Sequence, residues 1–168
     1  IQQLTFGMFQ KALRELSPLF HNNGGYKMSI NLSPKMVERR SLQDKIEEIV
    51  DEAEVSPDSI VFEITETGII NRTALTYEVL DRLIIKGFKL AMDDFGTGFS
   101  NVEQLTSMPF THLKVDRCFV HGISHDEISQ VIVKSLMEIA NALKMEVIAE
   151  GLESYQDFET VKELGCAH

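Results

Sequence analysis

Short runs of apolar and β-branched residues alternate along the chain with longer stretches in which apolar residues recur every three or four positions. The short runs are typical of buried strands, and the longer stretches are typical of amphipathic helices. The predicted strands cover residues 26–31, 60–65, 89–94, 112–116 and 146–149. The predicted helices cover residues 2–20, 42–54, 72–86, 125–143 and 155–164. Strands that alternate with helices indicate a parallel α/β fold.

Serine residues mark the expected beginnings of several helices. Ser41 and Ser154 each stand directly before a helical stretch and are candidate N-caps. Ser124 is followed three residues later by Glu127, which predicts a capping box at the start of the longest apolar stretch in the second half.

Two folds share this alternation, the doubly wound sheet and the (β/α)8 TIM-like barrel. Polar residues stand at or just past the C-terminal ends of the predicted strands. They are Asn31, Glu63, Asp93, Asp94, Lys114, Asp116 and Glu150. A barrel builds its active site from several strand ends on one rim, whereas a doubly wound sheet uses one crevice, usually with a glycine-rich loop after its first strand. The sequence has no such loop, so the pattern favours the barrel.

A complete barrel of this class is longer than the chain. Eight strand–helix units need about 250 residues, whereas this chain has 168 residues and five predicted strands. We therefore expect residues 1–168 to form part of a barrel, with further strands lying outside them at both ends.

Composition limits the classes of partner and compartment. The formal net charge of −10 argues against DNA or RNA polymers, because phosphate backbones are bound by lysine and arginine. Cys118 and Cys166 stand far apart, which suggests neither a disulfide framework nor a zinc knuckle and makes a reducing cytoplasm the default location. The sequence contains no apolar run of the length that a membrane span needs.

Four oxygen-bearing side chains are candidate metal ligands. Asn31, Glu63 and Asp93 come from three successive strand ends, and Asp94 follows Asp93 directly. Amide and carboxylate oxygens suit Mg²⁺ or Mn²⁺, and one aspartate can bridge two ions about 3.5–4 Å apart. Any single member of this set is more readily explained as a cap of a loop or helix, but the repetition at successive strands favours metal binding.

Lys114, Asp116 and Glu150 extend the candidate site. Lys114 and Asp116 alternate within a predicted strand, so both side chains are expected to point the same way. A lysine among carboxylates requires a partner, either in a catalytic site or in a structural ion pair, and the sequence leaves both open. Glu150 is placed to act as a general base. The alternative role is that of a loop carboxylate that caps the next helix.

Five motifs resemble those of EAL domains, a family of cyclic-di-GMP phosphodiesterases, in their order and spacing. They are NLS at 31–33, FEITE at 62–66, DDFGTGFS at 93–100, LKVDR at 113–117 and AEGLE at 149–153. The resemblance spans essentially the whole chain. It implies a partial EAL domain at residues 1–168, whose first strand, with the Glu-Ala-Leu signature, and whose last strand lie outside the chain.

The resemblance also implies a reaction and its metal ions. Asn31, Glu63 and Asp93 resemble the ligands of one Mg²⁺ or Mn²⁺ ion, and Asp93 and Asp94 those of a second ion. The implied reaction is hydrolysis of one phosphodiester bond of cyclic-di-GMP, which gives the linear dinucleotide in bacterial second-messenger signalling.

Five further residues acquire roles through the same resemblance. Lys114 resembles the lysine that orients the attacking water or a metal ligand, and Glu150 resembles the proposed general base. Glu66 resembles the residue that supports the loop after Asp94 and connects the site to a dimer interface. Asp116 and Glu153 resemble supporting residues. The family further implies a homodimer, with sensor, receiver or GGDEF domains elsewhere in the parent protein.

Two alternatives to hydrolysis remain open. A catalytically silent EAL receptor would bind cyclic-di-GMP and relay a signal without turnover. Taken without the family, the same residues suit a Mg²⁺-dependent barrel of the enolase type, with Lys114 as the proton-abstracting base. That chemistry would call for a second lysine or a histidine opposite Lys114, and the sequence offers no evident candidate.

Overall fold

The computed structural model describes residues 2–21, 25–65, 73–96 and 102–166, which form helices and strands in alternation. The helices are α1 (Gln2–His21), α2 (Pro34–Val37), α3 (Ser41–Glu52), α4 (Ala74–Ile85), α5 (Val102–Ser107), α6 (Arg117–Val120), α7 (Glu127–Ala142) and α8 (Tyr155–Glu163). The strands are β1 (Met28–Asn31), β2 (Ile60–Thr65), β3 (Lys89–Phe95), β4 (His112–Val115) and β5 (Glu146–Ala149). The predicted strands are confirmed, and β2 and β5 have the bounds that the sequence predicts. None of the described helices is long and apolar enough to cross a membrane.

The first of two compact units contains residues 1–64 and 68–90. Its strands β1 and β2 run parallel, with Asn31 opposite Glu63 at their carboxyl ends. The ring of Phe62 lies between two other aromatic rings, 6.2 Å from that of Phe9 and 5.4 Å from that of Phe88. Residues 60–64 are all buried, as expected for a parallel strand that is covered on both faces.

The second unit contains residues 65–67 and 91–168. Within it, β4 pairs in parallel with both β3 and β5, and Val115 lies opposite Ala149 near the carboxyl ends of β4 and β5. Apolar residues of the strands and of the helices that follow them are buried. They are Met92, Leu113, Val115 and Val147 from the strands, and Val133, Ala140 and Val161 from α7 and α8.

The start of α7 differs from the prediction. The capping box of Ser124 and Glu127 is wrong, because α7 begins after Asp126, whose carboxylate accepts a hydrogen bond from the Ile128 amide at 3.0 Å. Ser124 lies in the preceding 3₁₀ turn, and its hydroxyl donates to Asp157 at 2.8 Å. The Ser124 hydroxyl is therefore bonded to Asp157 and does not cap α7 as the sequence predicted.

Asp157 is the centre of a buried hydrogen-bond cluster that joins the turn before α7 to the start of α8. Its carboxylate accepts from the Gly122 amide at 3.2 Å, from the Ser124 amide at 3.0 Å and from the Ser154 hydroxyl at 2.7 Å. The Ser154 hydroxyl in turn accepts from the Asp157 amide, which confirms Ser154 as the N-cap of α8. The hydrogen bonds from the Ser124 amide and the Ser154 and Ser124 hydroxyls hold the pKa of Asp157 well below its usual range.

Asp157→Ala is expected to lower the free energy of unfolding by about 2–4 kcal/mol, because several buried donors lose a charged acceptor. Since the pKa is depressed in the folded state, this stabilisation is present above the unfolded-state value near 4 and is lost as the pH falls below it. Urea unfolding at pH 7 and at pH 3 measures both effects. Asp126→Ala, which removes an exposed helix cap, is the matched control and should cost less. Equal losses from the two variants would contradict the central position of Asp157.

Candidate active site

The side chain of Lys114 joins two carboxylates in the second unit. Its Nζ lies 2.9 Å from Asp93 Oδ1 and 2.8 Å from Glu150 Oε1. Lys114 is on β4 and Asp93 is on β3, while Glu150 directly follows β5 and donates its amide hydrogen to the Val115 carbonyl at 3.1 Å. Lys114 and Asp93 are buried, and a buried ammonium is tolerated only when anions compensate for the lost water. The ends of three neighbouring strands thus place two anions around one cation.

A β-bulge interrupts β3 at Asp93 and Asp94. Between Met92 and Phe95, β3 contains one more residue than the segment of β4 that it faces. Asp94 has a φ of 56°, in the left-handed region that few residues other than glycine adopt, and its amide donates to Asp93 Oδ1 at 3.2 Å. A regular strand would direct consecutive side chains to opposite faces, and the bulge breaks that alternation. Such backbone distortions concentrate at functional sites.

Asn31 and Glu63 stand at the corresponding strand ends of the first unit. They are opposite each other in the parallel register of β1 and β2, and the Leu32 amide continues this pairing by donating to the Glu63 carbonyl at 2.8 Å. The Glu63 side chain is buried, whereas Asn31 is exposed and borders a groove of about 410 Å³ between α1 and β1.

Asp116 is placed differently from the sequence prediction. The expectation that it alternates with Lys114 along one strand is wrong, because β4 ends at Val115 and Asp116 is the N-cap of α6. Its Oδ1 accepts from the Cys118 amide at 2.9 Å, and hydrogen bonds from the Cys118 thiol and amide lower the Asp116 pKa. Cys118 is exposed, and partial desolvation of its thiol, together with the adjacent Asp116 carboxylate, raises the pKa of the thiol to about 11.

The loop between β5 and α8 carries one further predicted residue, Glu153. Glu153 is exposed and forms an ion pair with Arg117, whose Nη2 lies 2.6 Å from Glu153 Oε1. His121, which follows α6, is exposed, with its Nδ1 3.7 Å from Glu153 Oε2. Glu66 lies outside the described residues. The sequence analysis did not single out Arg117. Its spacing of three residues from Lys114 equals the spacing of Glu150 and Glu153, and this match is the signal that could have indicated two parallel ion pairs.

The donor set is chemically suited to hard divalent cations. Asn31 offers an amide oxygen, and Glu63, Asp93 and Asp94 offer carboxylate oxygens. Within the ranges that the structure describes, no three His, Cys, Asp or Glu side chains are grouped closely enough to hold a metal ion. Asp93 Oδ1 instead contacts the Lys114 ammonium.

Comparison with known proteins identifies the family of this chain. The sequence profile of the EAL domain matches residues 1–168. The cyclic di-GMP phosphodiesterase RocR of Pseudomonas aeruginosa is 34% identical over 167 residues, covering 99% of this chain and 43% of RocR. The chain therefore spans less than half the length of this relative.

Two solved structures resemble the fold closely. The PaMucR phosphodiesterase in its c-di-GMP complex has a TM-score of 0.87 at 25% identity, covering 98% of this chain and 67% of that one. The manganese and cyclic-di-GMP complex of Klebsiella pneumoniae BlrP1 at pH 6 has a TM-score of 0.87 at 28% identity, covering 98% and 42%. Together with the parallel strand pairings, these matches confirm the predicted α/β fold class, to which the described residues contribute five strands, as expected for part of a TIM-like barrel. The chain belongs to the EAL domain family.

Proposed function

We propose that this chain contributes the catalytic part of a metal-dependent phosphodiesterase that hydrolyses cyclic-di-GMP to the linear dinucleotide in bacterial second-messenger signalling. The observation that carries the proposal is the buried Lys114 ammonium, held between Asp93 and Glu150 at the ends of three parallel strands. The family match and the phosphodiesterase names of relatives such as RocR support the same chemistry.

The proposal assigns two divalent ions, Mg²⁺ or Mn²⁺, to four side chains. Asn31 and Glu63 of the first unit and Asp93 and Asp94 of the second are the proposed ligands, with Asp93 shared by both ions. Their oxygen donors fit such cations, and the manganese complex of BlrP1 supports the choice of metal. When bound, the ions would activate water and neutralise charge on the phosphodiester.

The protein's own groups have distinct parts in the proposed reaction. Water attacks phosphorus while the bond to the leaving ribose oxygen breaks. Glu150 accepts the proton that the water gives up, and the ribose oxygen takes up a proton from solvent and leaves as a hydroxyl. The Lys114 ammonium lies at hydrogen-bonding distance from the carboxylates of both Glu150 and Asp93. It therefore orients Glu150 as the base and Asp93 as a proposed metal ligand. Glu66, Asp116 and Glu153 are proposed as supporting residues, with Asp116 acting through the cap of α6.

The proposal extends to the parent protein. We propose that residues 1–168 are part of an EAL domain in a larger protein, with sensor, receiver or GGDEF domains, that acts as a homodimer. The small share of RocR that the chain spans supports a multidomain parent. A cytoplasmic location is consistent with the free thiols of Cys118 and Cys166.

Product analysis tests the reaction directly. The full-length protein, incubated with cyclic-di-GMP and Mg²⁺ or Mn²⁺, is expected to accumulate the linear dinucleotide, and chromatography with mass detection would identify it. Addition of EDTA should stop turnover, because the proposed chemistry requires the ions. Tight binding of cyclic-di-GMP without product would instead support the receptor alternative.

Asp93→Asn is expected to abolish measurable turnover, because the amide removes the charge of the proposed shared ligand and weakens the contact with Lys114. The matched control is Asp81→Asn, which changes an exposed carboxylate on α4 and should leave the rate unchanged. Initial rates at saturating metal and cyclic-di-GMP measure the effect. A near-wild-type rate for Asp93→Asn would refute the two-metal assignment.

Lys114→Met is expected to reduce kcat by at least about 100-fold, because two carboxylates lose their common cation and the base loses its orientation. The free energy of unfolding should fall by about 2–3 kcal/mol, less than the ~3–5 for a fully buried pair, since the Glu150 side chain is 40% exposed. Lys86→Met, which removes an exposed ion pair with Glu47, is the control and should change neither quantity appreciably. Unchanged kcat in Lys114→Met would argue for a purely structural ion pair.

A further inference from the structure

Arg117 contacts the loop between β5 and α8 at two separate points. Its guanidinium forms the 2.6 Å ion pair with Glu153. Its aliphatic stem lies against Gly151, so closely that a Cβ atom on that glycine would stand 2.7 Å from Arg117 Cγ and 2.8 Å from Arg117 Cβ. Gly151 also has a φ of 74°, which a side chain disfavours. The loop therefore has glycine where the arginine stem passes.

The two basic residues of this region bind the two ends of one turn. Lys114 binds Glu150, the first residue of the turn, and Arg117 binds Glu153, the last. Arg117 is also the first residue of α6, whose start is fixed by the Asp116 cap. Side chains from the end of β4 and the start of α6 thus hold the turn at both ends, and the Arg117 stem contacts Gly151 between them.

We propose that Arg117 is a positioning residue that fixes the turn from Glu150 to Glu153 and thereby the orientation of the Glu150 carboxylate. The proposal rests on the proposed function, in which Glu150 is the base. The Arg117 and Glu153 side chains are 58% and 54% exposed, and an exposed ion pair adds little to global stability. The contact instead restricts the orientation of Glu153 and of the turn that carries it. A planar guanidinium on a packed stem restricts the position of a carboxylate more than a flexible ammonium does.

Steady-state kinetics on the full-length protein separate positioning from binding. Arg117→Met keeps the stem and loses the ion pair, so kcat for cyclic-di-GMP should fall about 10- to 100-fold while KM changes less than about threefold. Arg117→Lys keeps the charge but loses the planar fork, and it should recover part of the rate. Arg82→Met, which breaks an exposed ion pair with Glu78 on α4, should leave kcat unchanged.

Hydrogen–deuterium exchange supplies a readout that is independent of turnover. In Arg117→Met without nucleotide or metal, the Glu150 amide, which donates to the Val115 carbonyl at 3.1 Å, should exchange several-fold faster than in the unmodified protein, with an unchanged melting temperature. Faster exchange with lower kcat supports the proposal; unchanged exchange overturns it, as does faster exchange with an unchanged kcat. A protein without any turnover would refute the proposed function, and exchange would still decide whether Arg117 fixes the turn. If Arg117→Met fails to fold, the same two measurements on Arg117→Lys decide the outcome.

Discussion

The buried ammonium of Lys114 constrains the ends of β3, β4 and β5. A cation removed from water must be met by anions at short distance, and here Asp93 and Glu150 meet it from the strands on either side. This requirement fixes where β3 and β5 end relative to β4, because a shift of one residue would turn each carboxylate to the other face. The ion pairs therefore couple the register of three strands to the geometry of the site.

The bulge in β3 is the local cost of that arrangement. Two consecutive aspartates in a regular strand would diverge, so only one could serve a given face. The left-handed φ of Asp94 costs of order 1 kcal/mol, and aspartate tolerates it better than most residues because its short carboxylate can bond locally. The proposed use of both carboxylates in metal binding gives this strain a purpose.

The sequence predicted the regular elements well and the irregular ones poorly. The pattern of apolar residues located β2 and β5 to the residue, and in β2 burial on both faces makes that pattern clear. The same pattern placed the end of β4 one residue too late, because it predicted that Asp116 belongs to the strand. In the structure the Asp116 carboxylate caps α6. The sequence analysis also assigned Ser124 to α7, because a hydrogen bond to Asp157 depends on two segments that only the fold brings together. Tertiary contacts of polar side chains leave no periodic signal.

Electrostatics argues for added cations at this site. Asp93, Asp94 and Glu150 bring three carboxylates to the strand ends of the second unit, and Lys114 is the cation that contacts two of them. A phosphodiester is itself an anion, so its approach to a carboxylate-rich rim is unfavourable unless positive charge is supplied. The chain as a whole carries a net charge of −10 and offers no general attraction for such a substrate. Divalent ions bound to these oxygen ligands would make the local electrostatic potential positive. In the proposed chemistry, substrate binding therefore depends on metal binding.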